Sequence, residues 1–220
     1  MTVPLVTFDL FSALIDSRTG ASRILDGISA RRRWGVGGER VFDEWDRRNK
    51  ASQRDEPEWM PFADHCRRAL VDTYVDLRLA GPADVDAAML LDSVSGWPLW
   101  PGVTAGLAEI GTHHRVGILS NVDDDVFART PVAGLVAEDA VLTSERLRAY
   151  KPRPEIYRRA QQRAGGSLVH VATSARDVRG ALEAAIDVIR LRRPGHEPDP
   201  AGPIPDRTAA ALAEVTRLLG

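Results

Sequence analysis

A second cysteine is missing from this chain of 220 residues, and Cys66 therefore has no internal disulfide partner. It lies among helix-forming residues and is expected to be a buried thiol, with a cytoplasmic location as the default. No stretch approaches the ~20 consecutive apolar residues that a membrane helix needs. No basic segment followed by an apolar one opens the chain, so no secretory signal is expected. A charge surplus is missing too. Lys and Arg number 29 against 31 Asp and Glu, a net charge of -2 that leaves no electrostatic footprint for nucleic acid. There is no internal repeat, no long low-complexity run, no Gly-x-Ser-x-Gly elbow and no phosphate-loop Gly-Lys motif.

What is present suits a globular protein. Hydrophobic residues make up 44% and charged residues 27%, enough to bury a sizeable core. The run from Val3 to Phe8 is rich in β-branched and aromatic residues and leads into Asp9, which predicts a strand buried on both faces. The polar stretch from Asp16 to Gly20 reads as a loop. From Ala21 to Leu91 helical periodicity dominates, with Ile24, Leu25 and Ile28 on one face and Phe62, Cys66, Ala69 and Leu70 on another. Arg31, Arg32 and Arg33 are followed by many acidic residues and read as a solvated face.

Two prolines and two glycines between Gly96 and Gly102 mark a boundary. Beyond it, Val103, Leu107 and Ile110 share a helical face, and an apolar strand from Arg115 ends on Ser120 and Asn121. Helices are then expected at 123–129, 154–164 and 175–185, with strands at 140–143, 168–172 and 187–191. A Pro- and Gly-rich linker at 194–205 leads to a last amphipathic helix carrying Leu212, Val215 and Leu219. Strands alternating with helices imply a parallel sheet. The expected architecture is α/β: a doubly wound sheet at 1–16 and 97–220, with a helical cap inserted at 17–96.

Chemistry in such a sheet gathers at the carboxyl ends of strands. Asp9, Ser120-Asn121 and the stretch from Thr173 to Asp177 lie there, and Lys151 precedes a helix. Each has a plain structural use as well: a cap for Asp9, a turn and cap pair for Ser120-Asn121, a solvated lysine for Lys151. A carboxylate can act as a nucleophile that forms an ester or acyl phosphate. Ser120 and neighbouring amides suit an anionic group, and Lys151 offsets the carboxylates. The histidines suggest no other mechanism. His113-His114 lack a partner at metal-ligand spacing, and His170 reads as a hydrogen-bonded core residue.

In order and spacing, Phe8-Asp9-Leu10-Phe11, Ile118-Leu119-Ser120-Asn121, Lys151-Pro152-Arg153-Pro154 and Asp177-Val178-Arg179-Gly180-Ala181 resemble the four motifs of the haloacid dehalogenase (HAD) superfamily. The resemblance spans nearly the whole chain, with the cap matching least. It implies a Rossmann-like core, a nucleophilic Asp9 and a hydrolase.

The departures narrow the type. Phosphatases of the superfamily carry a second Asp two residues after the nucleophile as general acid. Here that position is Phe11, which cannot donate a proton. Thr173 replaces an Asp that helps bind magnesium, leaving Asp9 and Asp177 as the only metal candidates of a phosphatase-like site. Halide leaves without a proton, and the dehalogenase branch has an aromatic residue at this position and works without a metal. The expectation is a metal-independent 2-haloacid dehalogenase with no cofactor. Asp9 would be the nucleophile, Ser120 and Asn121 would hold the substrate carboxylate, and Lys151 would orient Asp9. Asp177 and Ser174 would place the hydrolytic water. Phe11, Tyr157 and a cap arginine, Arg48 ahead of Arg47, would complete the pocket, with Trp59 as an apolar wall.

Ala13 stands where the branch has a supporting Thr; Ser12, one residue away, is the candidate substitute, with its side chain expected to point differently. The alternatives are a magnesium-dependent phosphatase of small phosphoesters and a non-catalytic binding protein. A small-molecule substrate is expected and no nucleic-acid or membrane partner, with a homodimer left open.

Overall fold

The computed structural model describes residues 3–220, so the first two residues of the expected 1–16 segment lie outside it. Six parallel strands form one sheet: β1 (Leu5–Phe8), β2 (Arg115–Ser120), β3 (Val141–Thr143), β4 (Leu168–Ala172), β5 (Asp187–Leu191) and β6 (Arg207–Ala209), in the order β3-β2-β1-β4-β5-β6. β1 is central. Its residues Leu5 to Phe8 pair with Arg115 to Ile118 on one side and with Leu168 to Val171 on the other. A strand covered on both faces needs apolar residues at successive positions, which is why LVTF shows no polar alternation.

Ten α-helices accompany the strands among the described residues. Chain order numbers them α1 (Ser17–Arg32), α2 (Gly38–Asp55), α3 (Phe62–Asp76), α4 (Ala83–Asp92), α5 (Val103–Ile110), α6 (Asp124–Ala128), α7 (Ser144–Leu147), α8 (Pro154–Arg163), α9 (Ala175–Glu183) and α10 (Leu212–Leu219). α7, α8 and α9 supply Leu147, Ile156, Ala160, Val178 and Ala181 to a core with Leu5, Leu119, Leu142, Leu168 and Val188. α5 and α10 pack together, with Gly106 so close to Leu212 that a Cβ would lie 2.4 Å from it. The chain winds from β1 out to β3, then crosses back to β4 on the other side of β1. That reversal places the topological switch point between the carboxyl ends of β1 and β4.

Among the elements of this unit that escaped the sequence reading, two bear on the sheet and the site. β6 lies in a polar stretch at the sheet edge and pairs only with β5. After Asp9 the chain makes a π-helical turn, Leu10–Leu14, closed by the Ile15 amide on the Leu10 carbonyl at 2.9 Å.

The chain divides into two compact units, one of residues 1–15, 99–121 and 132–220 and one of 16–98 and 122–131. The expected division at 16/17 and 96/97, with everything beyond in the core, needs correction at 122–131. Asp123 is the physical reason. Its carboxylate accepts from the amides of Phe62 (2.8 Å) and Ala63 (2.9 Å), capping α3 within the helical unit. Pro61 at the cap position has no side-chain acceptor, so a residue distant in sequence does that work.

The helical unit corrects two further expectations. The stretch 16–20, read as a loop, is the start of α1: Asp16 accepts from the Thr19 amide at 3.1 Å, and Gly20 packs against Trp97 where a Cβ would meet the ring at 2.4 Å. Of the three arginines read as a solvated face, Arg32 instead pairs at 2.6 Å with Asp86, which is fully buried and also accepts from Tyr74 at 2.7 Å. Cys66 is buried as expected, and burial first, then Asp123 and Asp46, pushes its thiol well up. No helix among the described residues is long and apolar enough to cross a membrane.

Candidate active site

β1 ends at Phe8, and the next residue, Asp9, is held at both carboxylate oxygens. Lys151 Nζ lies 2.7 Å from Oδ1, and the Ser12 hydroxyl donates to Oδ2. The π-helical turn explains the second contact. Its wider winding brings Ser12 back over Asp9, correcting the expectation that this side chain points elsewhere. The turn is itself tied down. Trp100 Nε1 donates to the Ser12 carbonyl at 3.0 Å, and Arg193 Nη2 to the Ala13 carbonyl at 2.8 Å.

Lys151 is 4% exposed at its side chain, so its charge must be met inside the protein. Its ammonium contacts Asp9, Asp177 Oδ2 at 2.5 Å and the Leu119 carbonyl at 2.9 Å, which satisfies its three donors. Burial pushes the lysine down, but the charges of Asp177 and Asp9 outweigh it and the net shift is upward. Lys151 therefore stays an ammonium. Its backbone is fixed by Asn121, whose Oδ1 accepts from the Lys151 amide at 2.7 Å while Nδ2 donates to the Lys151 carbonyl at 3.0 Å.

Asp177 lies in the first turn of α9 and is buried. Oδ1 accepts from the Tyr157 hydroxyl at 2.7 Å, and both oxygens lie near His170 Nε2, at 3.3 and 3.2 Å. Burial pushes the Asp177 carboxyl up, but Lys151 and then His170 more than offset it and hold it well below the usual carboxylate range. Tyr157 is pushed the other way, by burial and then by Asp177, and keeps its proton.

Of the residues singled out from sequence, Asp9, Lys151, Asp177 and Tyr157 thus form one hydrogen-bonded chain. Ser120 and Asn121 stand buried at the end of β2, and Ser174 is half-buried at the position before α9, with no capping hydrogen bond from its side chain. Phe11 is half-buried in the π-helical turn. Thr173 spends its hydroxyl on the Leu191 carbonyl at 2.9 Å. In the helical unit, Arg48 contacts Glu44 (2.7 Å), Asp72 (3.8 Å) and Asp76, Arg47 pairs with Glu44, and Trp59 is half-buried. His170 is the member of the chain that sequence reasoning left in the core. Its signal was a histidine inside an apolar strand, but only the register reveals Thr7 beside it and Asp177 above.

Magnesium, the alternative cofactor, needs oxygen ligands free to meet it. All four carboxylate oxygens of Asp9 and Asp177 already face protein donors, with the Lys151 ammonium between them. No group of three or more His, Cys, Asp and Glu among the described residues is arranged to hold a metal ion. These residues do not fit magnesium.

No protein-family model matches this chain, and no curated protein matches it in sequence. Solved structures do. The L-2-haloacid dehalogenase of Xanthobacter autotrophicus superposes with a TM-score of 0.83 at 21% identity, covering 99% of this chain and 98% of its own. A defluorinating L-2-haloacid dehalogenase gives 0.84 at 22%, covering 99% and 95%. The HAD-hydrolase YfnB from Bacillus subtilis, in a magnesium-bound form, gives 0.80 at 12%, covering 100% and 99%.

Proposed function

From a chain with the HAD fold, we propose a hydrolase that uses Asp9 as its nucleophile to displace halide from a small 2-haloacid, without a metal. The observation that carries this reading is the Lys151 ammonium lodged between Asp9 and Asp177. It holds the Asp9 carboxylate at Oδ1 while Ser12 holds Oδ2. Phe11 adds to it, since a phosphoester needs a proton on its departing alkoxide and a halide does not.

An Asp9 oxygen attacks C2 of the substrate while the carbon–halogen bond breaks and the halide departs with its electron pair. The product is an ester between Asp9 and C2. Water then adds to the ester carbonyl, the acyl C–O bond breaks, and the 2-hydroxyacid leaves with release of one proton and a restored Asp9 carboxylate. Lys151 and Ser12 orient the carboxylate for attack. Ser120, at the end of β2, is assigned the substrate carboxylate. Asn121 and Asp177 act through Lys151, because their polar atoms are already engaged with it. Ser174 is left to place water. Arg48 would have to leave three acidic partners to meet a halide, so no step is assigned to it.

The test is halide release from a panel of 2-chloro-, 2-bromo- and 2-fluoroacids in the presence of a chelator. Turnover that survives EDTA and is lost in Asp9→Asn is the expected result. Magnesium-stimulated phosphate release from small phosphoesters would turn the reading toward a phosphatase, and no turnover in either assay toward a binding protein.

A further inference from the structure

Two fully buried polar residues, His170 and Thr7, have no part in the displacement or the hydrolysis. Parallel pairing sets Thr7 on β1 opposite His170 on β4, two residues before Asp9 on the same side of the strand. Thr7 Oγ1 lies 3.0 Å from His170 Nδ1, and His170 Nε2 lies 3.2 Å from Asp177 Oδ2. The ring therefore bridges the interior of the sheet to the carboxylate that grips Lys151.

The tautomer follows from the partners. An ionised carboxylate only accepts hydrogen bonds, so Nε2 must carry the proton that faces Asp177. In a neutral ring Nδ1 is then an acceptor, and Thr7 is the donor beside it. The other acceptor within reach of that hydroxyl, the Val169 carbonyl, is farther away at 3.5 Å. In the neutral ring, the Thr7 hydroxyl at Nδ1 favours the Nε2–H form, as second-sphere groups do for histidines elsewhere.

We propose that His170, set by Thr7, is a positioning residue of this site: its Nε2–H fixes the Asp177 carboxylate, which in turn holds Lys151 against Asp9. The groups facing Asp177 are Lys151, Tyr157 and His170. Without the imidazole, Asp177 loses one of its three donors and draws more heavily on Lys151, which then sits less well on Asp9. His170 touches no exposed surface, so substrate affinity is unaffected and the loss falls on the chemical step. The kinetic consequence rests on Asp9 being the nucleophile; the hydrogen bonds do not.

The experiment combines nitrogen-15 spectra of the His170 ring and the Lys151 ammonium with halide-release kinetics of His170→Leu, His170→Gln and Thr7→Val. Gln can donate to Asp177 and accept from Thr7, whereas Leu can do neither. The wild-type ring should show a protonated Nε2. The Lys151 signal should shift in His170→Leu and return in His170→Gln. For the kinetics, kcat should fall about tenfold or more in His170→Leu with KM unchanged, a barrier rise of ~1.4 kcal/mol. It should recover largely in His170→Gln and fall less in Thr7→Val. A bare Nε2, an unmoved Lys151 signal in His170→Leu, or a loss confined to KM would overturn the proposal. Should His170→Leu fail to fold, the near-isosteric Thr7→Val must still displace the Nδ1 signal. If the wild type releases no halide, the functional reading fails, and the two spectra decide the positioning role alone.

Discussion

Lys151 carries one positive charge between two carboxylates, at 2.7 Å from Asp9 and 2.5 Å from Asp177, with almost no water to screen it. In such a place the pair interactions matter less than what happens when one partner is removed. Lys151→Met keeps much of the side-chain volume but leaves two buried carboxylates without their shared cation. The expected cost is ~3–5 kcal/mol in urea unfolding, together with loss of turnover. A variant as stable as wild type would mean that the carboxylates find other partners. Asp9, Lys151 and Asp177 were singled out by their order and spacing along the chain, and Tyr157 by the resemblance to the dehalogenase branch. Ser12 and His170 were not, because Ser12 reaches Asp9 only through a π-helical turn and His170 reaches Asp177 only across strand register.

At the scale of elements, α3 shows how a helix can borrow its cap. Pro61 cannot offer an acceptor side chain, and Asp123 supplies one to two of the free amides of the first turn while placing a negative charge at the positive end of the helix. Asp123→Ala should cost about 1 kcal/mol, measured as a lowered urea midpoint at unchanged m-value. An unchanged midpoint would show that water replaces the carboxylate without loss. Boundaries of the central strands were legible because burial on both faces leaves runs that are apolar but for one residue, Thr7 in LVTF and His170 in LVHVA. β6, a three-residue edge strand, carries no such run and was read as linker and helix approach.

Across the molecule, the buried chain of charges makes folding stability depend on pH. Asp177 has its carboxyl pulled below the ordinary value of ~3.9, so its contribution is present above that pH and is lost as pH falls through the lower folded value. Lys151 is raised above ~10.4, so its contribution is present below that pH and is lost as pH rises through the folded value. The contributions of these two groups should therefore be flat between about pH 4 and 10 and decline on either side. Denaturant midpoints across that range check it. Asp177→Asn should flatten part of the acid limb, and an acid limb identical to wild type would place the titrating groups elsewhere.

The sequence by itself determined that this is an α/β chain with a helical insertion, because strand burial and helix periodicity are local patterns that survive without coordinates. It also placed a carboxylate at the end of the first strand, with the second through fourth motifs following in order. Only the tertiary structure decided what that carboxylate touches. Hydrogen bonds from Lys151, Ser12 and, through Asp177, His170 depend on register, a π-helical turn and the crossing from β3 back to β4. These are relations between distant segments, set by packing rather than by any local preference, and they are what sets a lysine beside Asp9.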